Sequence, residues 1–257
     1  MKLRYKFQNF LRFLFGKNGR FGLDHESGLF FFDDEISKHF FSNQKRGLGL
    51  YRNGLKKRGD QIAKSYCLEM INFDLNDVVV DCGANYADLF LYLNRFIRPN
   101  NYYALEPSDN DYQAIKKNCP ESNIYRKALA EKTGLTKFYI DTKKADSSVI
   151  EPRSYTSVEE VECLSLNDFV SQVNLEKIKL LKLEAEGFEP EILRGSTEVL
   201  SRIEFVAIDG GYERGVSCDE TFSFQVNFLT KHGFEMIGVY FQWGRALFRN
   251  TRIDLLN

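Results

Sequence analysis

The chain predicts an α/β fold: a mostly parallel, seven-stranded sheet with helices on both faces, closed by an antiparallel hairpin and preceded by a helical cap. Three observations carry this. From Val78 onward, short apolar runs alternate with helix-like stretches, the mark of repeated βα units. Near the end, "EMIGVYF", "QWG" and "RALFRN" spell two strands around a tight turn. Residues 1–74 show no such alternation; they are aromatic and polar by turns, with glycine breaks between Gly47 and Gly54. They are expected to form a basic, aromatic arm and a helical cap on a main domain of residues 75–257, with a helix over 59–73.

Within the main domain the elements follow in order. Strands are expected at 78–82, 102–105, 123–128, 179–183 and 204–208, short and mostly apolar. Helices are expected at 86–96, 109–118, 166–173, 189–194 and 220–232. An extra strand pair is expected at 136–140 and 160–163.

Composition narrows the function. Lys and Arg number 35 and Asp and Glu 36, so no overall field marks a nucleic-acid binder. The five cysteines have no paired spacing, which argues for a reducing cytosol rather than a disulfide or zinc framework. The one charge anomaly is residues 1–20, "MKLRYKFQNFLRFLFGKNGR", with six basic residues and no acid. Two readings stand open: a basic helix packing its Phe face on the domain, or an interfacial helix resting on anionic lipid at the inner face of the membrane. The run is too short and too broken by Arg12 to be a signal peptide or a span.

Val78–Asp88, "VVVDCGANYAD", holds the chemistry. In an open α/β sheet, ligands lie at the carboxyl ends of the strands. Asp81 stands at such an end, and Gly83 lets backbone approach a ligand or take a positive φ. A dinucleotide site would need G-x-G-x-x-G here, and a P-loop its G-x-x-x-x-G-K-[ST]; neither occurs. A nicotinamide oxidoreductase is therefore disfavoured. An acid before the turn suits a phosphate-free, positively charged ligand, and S-adenosylmethionine carries both an ammonium and a sulfonium. Glu106 follows 25 residues later at the next strand end, where this topology holds a ribose diol. A carboxylate accepts from both ribose hydroxyls at once.

Four stretches, "VVVDCGANYAD", "YALEPSDNDYQAIKKN", "VECLSLNDF" and "IKLLKLEAEGFEPEILRG", resemble the FkbM family of S-adenosylmethionine-dependent methyltransferases. The family commonly has glycine where Ala87 stands, and alanine suits that place if the residue is already helical. It usually has aspartate where Glu184 stands. The resemblance implies a class I methyltransferase (Rossmann-like) fold and methyl transfer to a hydroxyl, on a sugar, a glycan or a glycosylated metabolite. Asp81, Gly83, Asn85 and Glu106 would hold the cofactor. Ala128 and Leu129 end the third strand, either against the adenine or as plain core.

At the fourth strand end, Glu184 and Glu186 are expected on one face, where each raises the pKa of the other. They would serve as a base for the acceptor proton or hold Mg²⁺; alternatively Glu186 caps the next helix or neutralises Lys182. Asp209 is a third catalytic candidate. Ser147, Ser148 and Tyr212 are candidate acceptor contacts, with Glu213 and Arg214 beside them. His25, His39 and His232 have no ligand spacing. The rival reading is a non-catalytic methyltransferase-fold partner of a membrane-associated glycan assembly. Neither the acceptor nor the oligomeric state is legible.

Overall fold

The structure, a computed structural model, describes residues 3–141 and 147–252. Residues 142–146 of the polar segment after Ile140, and residues 1 and 2 of the basic arm, lie outside the described residues.

The first lobe begins with helix α1 (Leu3–Leu14), then strands β1 (Arg20–Leu23), β2 (Phe30–Asp33) and β3 (Lys38–Phe41), then helices α2 (Gln44–Leu50) and α3 (Leu55–Ser65). The three strands pair antiparallel in the order β1–β2–β3. The expected helical cap is thus a small mixed lobe. Its strands were missed because they are four residues long and run aromatic on aromatic, "RFGL", "FFFD" and "KHFF", with little period-2 alternation to show. Phe21, Phe32 and Phe41 build its core, joined by Tyr51 and by Tyr86 from the main domain.

The main domain then runs β4 (Val79–Cys82), α4 (Phe90–Leu93), β5 (Tyr102–Leu105), α5 (Asp109–Asn118), β6 (Asn123–Tyr125), β7 (Ala128–Ala130), β8 (Gly134–Ile140), β9 (Ser157–Ser165), α6 (Leu166–Gln172), β10 (Ile178–Leu183), α7 (Glu189–Arg194), β11 (Ile203–Asp209), β12 (Tyr212–Arg214), β13 (Asp219–Glu220), α8 (Phe222–Lys231), β14 (Phe234–Tyr240) and β15 (Arg245–Asn250). The seven-stranded sheet has the order β6–β5–β4–β10–β11–β15–β14. β15 alone runs against its neighbours. Chain order reverses between β4 and β10, so the crevice at their carboxyl ends is the switch point. This is the class I methyltransferase arrangement.

Side chains of β4 and β10 are almost wholly buried, as a two-faced parallel sheet requires. One core lies on each face, around Val80, Leu181 and Phe169 on one side and Val79, Leu180 and Tyr102 on the other.

Two local expectations are corrected. The strand expected over 123–128 is broken: β6 stays in the main sheet, while β7 joins β9 and β8 in a separate three-stranded sheet. The helix expected over 86–96 shrinks to α4, because Asn85 and Ala87 take left-handed φ of 50° and 59°. Ala87 is therefore not helical, and it occupies a conformation that costs an L-residue roughly 1–2 kcal/mol. A glycine at that place, as in the family the chain resembles, avoids this cost.

A buried cluster joins the lobes. Asp88 accepts from Tyr51 Oη at 2.7 Å and Arg58 Nε at 2.6 Å, and its Oδ1 lies 3.0 Å from His39 Nε2. Burial would raise the Asp88 pKa, but Arg58 and the His39 and Tyr51 hydrogen bonds outweigh it and hold the carboxyl well below its usual range. Asn118, at the end of α5, adds a second tie by exchanging two hydrogen bonds with the Phe40 backbone of edge strand β3. Gly59 lets α3 lie against α4, since a Cβ there would meet the Leu91 carbonyl carbon at 2.9 Å.

Replacing Asp88 by Ala strands a buried guanidinium, and the expected loss is about 3–5 kcal/mol of stability. Urea unfolding of D88A checks this, and a loss under about 1 kcal/mol refutes the account.

Candidate active site

The strand ends at the switch point surround an open cleft of about 940 Å³. Ten of the twelve residues singled out from sequence line it: Asp81, Gly83, Asn85, Glu106, Ala128, Leu129, Ser147, Ser148, Glu184 and Glu186. Asp209 and Tyr212 do not. Leu105, Phe138 and Phe188 add apolar wall, and the first lobe contributes Arg46, Arg58 and Ile62. The lining, charged groups beside apolar wall, suits a ligand with both a polar and a flat apolar part.

Lys182 is the centre of the site, and sequence reasoning gave it no role there. The β4–β10 register sets it directly beside Asp81. Its buried ammonium lies 3.0 Å from Asp81 Oδ1 and 3.0 Å from Glu184 Oε2, and donates to the carbonyls of Gly83 at 2.8 Å and Cys82 at 3.2 Å. Burial would lower the Lys182 pKa, but the two carboxylates outweigh it and raise it. Tyr102 donates to the other oxygen of Asp81. Burial pushes the Asp81 pKa up, and Lys182 offsets part of that. Asp81 is thus a buried strut, already paired with a cation, at the floor of the cleft.

The turn after Asp81 is tightly constrained. Gly83 has φ 70°, and a Cβ there would sit 1.8 Å from the Glu184 carbonyl oxygen. The left-handed Asn85 turns its N–H onto Glu106 Oε2 at 2.9 Å, while the Ser108 N–H meets Oε1 at 2.9 Å. Both carboxylate oxygens of Glu106 are therefore aimed by backbone, with lone pairs left for a ligand. Burial, and then the negative Asp111, push the Glu106 pKa to about 8.

The loop after β10 departs from expectation. Residues 184–188 are not strand, so strand alternation does not govern them. Glu184 is bonded by Arg245 at 2.7 Å as well as by Lys182. Burial would raise its pKa, but these two cations hold it well below the usual range. The expectation that Glu186 would raise it is corrected: Glu184 is a fixed anion at neutral pH, not a base. Among the described residues no group of three or more His, Cys, Asp or Glu side chains is placed to hold a metal ion. Glu186 has a left-handed φ of 52°, and its carbonyl accepts from Ser148 Oγ at 3.1 Å. It lines both the main cleft and an adjoining groove that contains Tyr212.

Two further candidates fall outside the cleft. Asp209 is buried and held by Arg245 Nε at 2.7 Å, so its carboxylate anchors the closing hairpin rather than facing a ligand. Tyr212 is exposed, and Arg214 forks onto Glu191 with two 2.9 Å bonds. Glu189 was also missed as a positioning residue. It is buried at the start of α7 and accepts from the Ala185 N–H at 2.6 Å, which shapes the 184–188 loop. Burial pushes its pKa to about 7. The sequence held one usable signal for Lys182: a lysine inside the otherwise apolar end of a buried strand needs an anionic partner, and Asp81 stands in the strand that pairs with it.

Two predictions follow from these charges. Lys182→Met leaves Asp81 and Glu184 without their shared cation, and should cost about 3–5 kcal/mol; adding Asp81→Asn should recover part of it in urea unfolding. Glu106 and Glu189 keep protons to about pH 8 and 7, whereas both would titrate near 4.5 in the unfolded chain. The native state therefore binds more protons between those limits, and stability falls as pH rises through the window. The urea midpoint should drop from pH 6 to pH 8 in the wild type and change less in E106Q/E189Q.

A family model described as the methyltransferase FkbM domain matches residues 81–236. "Methyltransferase 1" of Beauveria bassiana (strain ARSEF 2860) is 25% identical over 155 residues, covering 50% of this chain and 62% of that protein. The chain thus spans less than two thirds of that relative's length. Among solved structures, methyltransferase FkbM from Methylobacillus flagellatus KT aligns at 13% identity with a TM-score of 0.48, over 76% of this chain and 50% of that one. A SAM-dependent methyltransferase from Aquifex aeolicus aligns at 12% identity with a TM-score of 0.45, over 82% and 95%. The matched segment runs from Asp81, near the end of β4, into the edge strand β14 and takes in the strand ends at the switch point: the chain belongs to the FkbM methyltransferase domain family.

Proposed function

We propose that this protein transfers a methyl group from S-adenosylmethionine to a hydroxyl of a sugar or glycan. One observation carries the reading. Glu106, desolvated and aimed by two backbone N–H groups, shares a single cleft with the Asp81–Gly83 turn and the Glu184–Glu186 loop. The residues present fit an adenosyl ligand. Glu106 has free lone pairs for a ribose diol, and Leu105, Leu129 and Phe138 offer apolar wall for a flat ring. When bound, S-adenosylmethionine supplies an electrophilic methyl carbon on a sulfonium.

The chain's own residues do the rest. Glu106, which must give up its proton to do so, would accept the two ribose hydroxyls, and the Asp81–Lys182–Glu184 cluster keeps the β4 and β10 ends in fixed relation. Glu186 lies between the cofactor cleft and the adjoining groove, the place from which an acceptor hydroxyl would approach. With S-adenosylmethionine bound, an acceptor oxygen held there would take the methyl group, the electron pair of the carbon–sulfur bond leaving with the sulfur as S-adenosylhomocysteine. The hydroxyl proton passes to the Glu186 carboxylate. Positioning of the oxygen at about 3–3.5 Å from carbon supplies much of the rate.

Titration calorimetry with S-adenosylhomocysteine tests the cofactor reading. Binding is expected in the wild type, with a loss of about 1.5–3 kcal/mol in Glu106→Ala; absence of wild-type binding overturns it. Glu186→Gln should retain cofactor affinity and lose roughly 10²–10⁴-fold in kcat on a glycan acceptor.

A further inference from the structure

The amphipathic helix α1 sits the wrong way round for a soluble domain. Its polar face is docked and its apolar face is bare. Asn9 exchanges two 2.8 Å hydrogen bonds with the Phe21 backbone. Arg12, only 7% exposed, donates to the carbonyls of Gly19 at 2.9 Å and Arg52 at 2.8 Å, and its guanidinium lies 4.7 Å from the Phe32 ring centroid. The opposite face presents Phe7, Phe10, Phe13 and Leu14, and Phe15 follows; Phe13 is 82% exposed and Phe15 73%. Isolated exposed apolar residues are ordinary, but five within nine positions form a patch that marks an interaction site.

Charge says what covers it. Arg4, Lys6 and Lys17 are exposed around this face. The first acid in the chain is Asp24, and Lys117 holds it at 2.9 Å. Asp33 is matched by Arg20. The patch is therefore aromatic, and no acid on α1 itself offsets the helix's own cations. A seam between protein copies is depleted of lysine, whereas an anionic bilayer attracts lysine and arginine to its headgroups and takes aromatic side chains below them. Among the described residues no helix is long and apolar enough to cross a membrane.

We propose that α1 is a membrane-surface anchor, whose phenylalanine face enters the headgroup region of an anionic bilayer while Asn9 and Arg12 clamp it to the first lobe. Of the two readings of residues 1–20, this takes up the interfacial helix, because Phe7, Phe10 and Phe13 are exposed and the Phe face does not pack on the domain. Arg4 also lines a groove that shares Asp111 and Ser147 with the cofactor cleft. The inference does not depend on the methyl-transfer reading.

Co-sedimentation of the full chain with large unilamellar vesicles tests it. The probes are phosphatidylcholine alone and phosphatidylcholine mixed with phosphatidylglycerol. The wild type should bind the anionic vesicles, bind neutral ones far less, and release as salt rises from about 0.1 to about 0.5 M. Phe10→Glu/Phe13→Glu should lower the partition coefficient at least about tenfold, with an unchanged thermal midpoint because both side chains are exposed. A double variant that binds like the wild type overturns the proposal. So does a wild type that ignores anionic vesicles, including one that instead forms a dimer in analytical ultracentrifugation which the double variant disperses.

Discussion

The buried ammonium of Lys182 is the constraint on which the site depends. Two carboxylates and two main-chain carbonyls converge on it, from the ends of β4 and β10. Desolvated ions are costly, and a single cation shared by Asp81 and Glu184 is tolerated because it is paired with both and also donates to the Cys82 and Gly83 carbonyls. The arrangement fixes the two strand ends that border the switch point. It also leaves the Gly83 turn no room for a side chain, since the Glu184 carbonyl stands where a Cβ would go.

Charge then propagates outward through Glu184. Its second oxygen meets Arg245 at the start of β15, and Arg245 also holds Asp209 and Ser65 and lies 4.3 Å over the Tyr66 ring. One guanidinium thus ties the reversed strand of the hairpin, the end of β11 and the last turn of α3 to the cleft floor. On the other side, Asp88 ties the first lobe to the turn after β4 through Arg58, His39 and Tyr51. The cleft is a two-lobed structure: strand ends supply the carboxylates, and the small N-terminal lobe supplies the arginine-bearing wall.

Site residues that lay at strand ends were legible because strand ends are legible. Asp81 and Glu106 each follow a short apolar run, and a parallel sheet gathers such ends at one edge whatever the details of packing. Asp209 also follows such a run, yet it turns to Arg245 and away from the cleft. No local signal distinguishes it, because its partner lies 36 residues away on a strand that runs the other way. The β1–β3 sheet was hidden for a different reason. Its strands are short and aromatic on both faces, and they are recognisable only once Phe21, Phe32 and Phe41 are seen to meet Tyr86.

Sequence alone settled most of the alternation of strand and helix from Val79 to Asn250, the break after β6 and the short α4 apart, and also the reversed hairpin and the absence of a phosphate-binding glycine motif. Each rests on periodicity or on a residue's intrinsic backbone freedom, which are local properties. Tertiary structure alone decided the charge state of the acids and the facing of α1. Glu184 is held as an anion and Glu106 is held toward neutrality, though both are glutamates just past strand ends on the same edge of one sheet. The difference lies in which cations and backbone donors the fold brings within 3 Å, and in how much water it removes. Those quantities arise from residues far apart in the chain, so no local pattern encodes them.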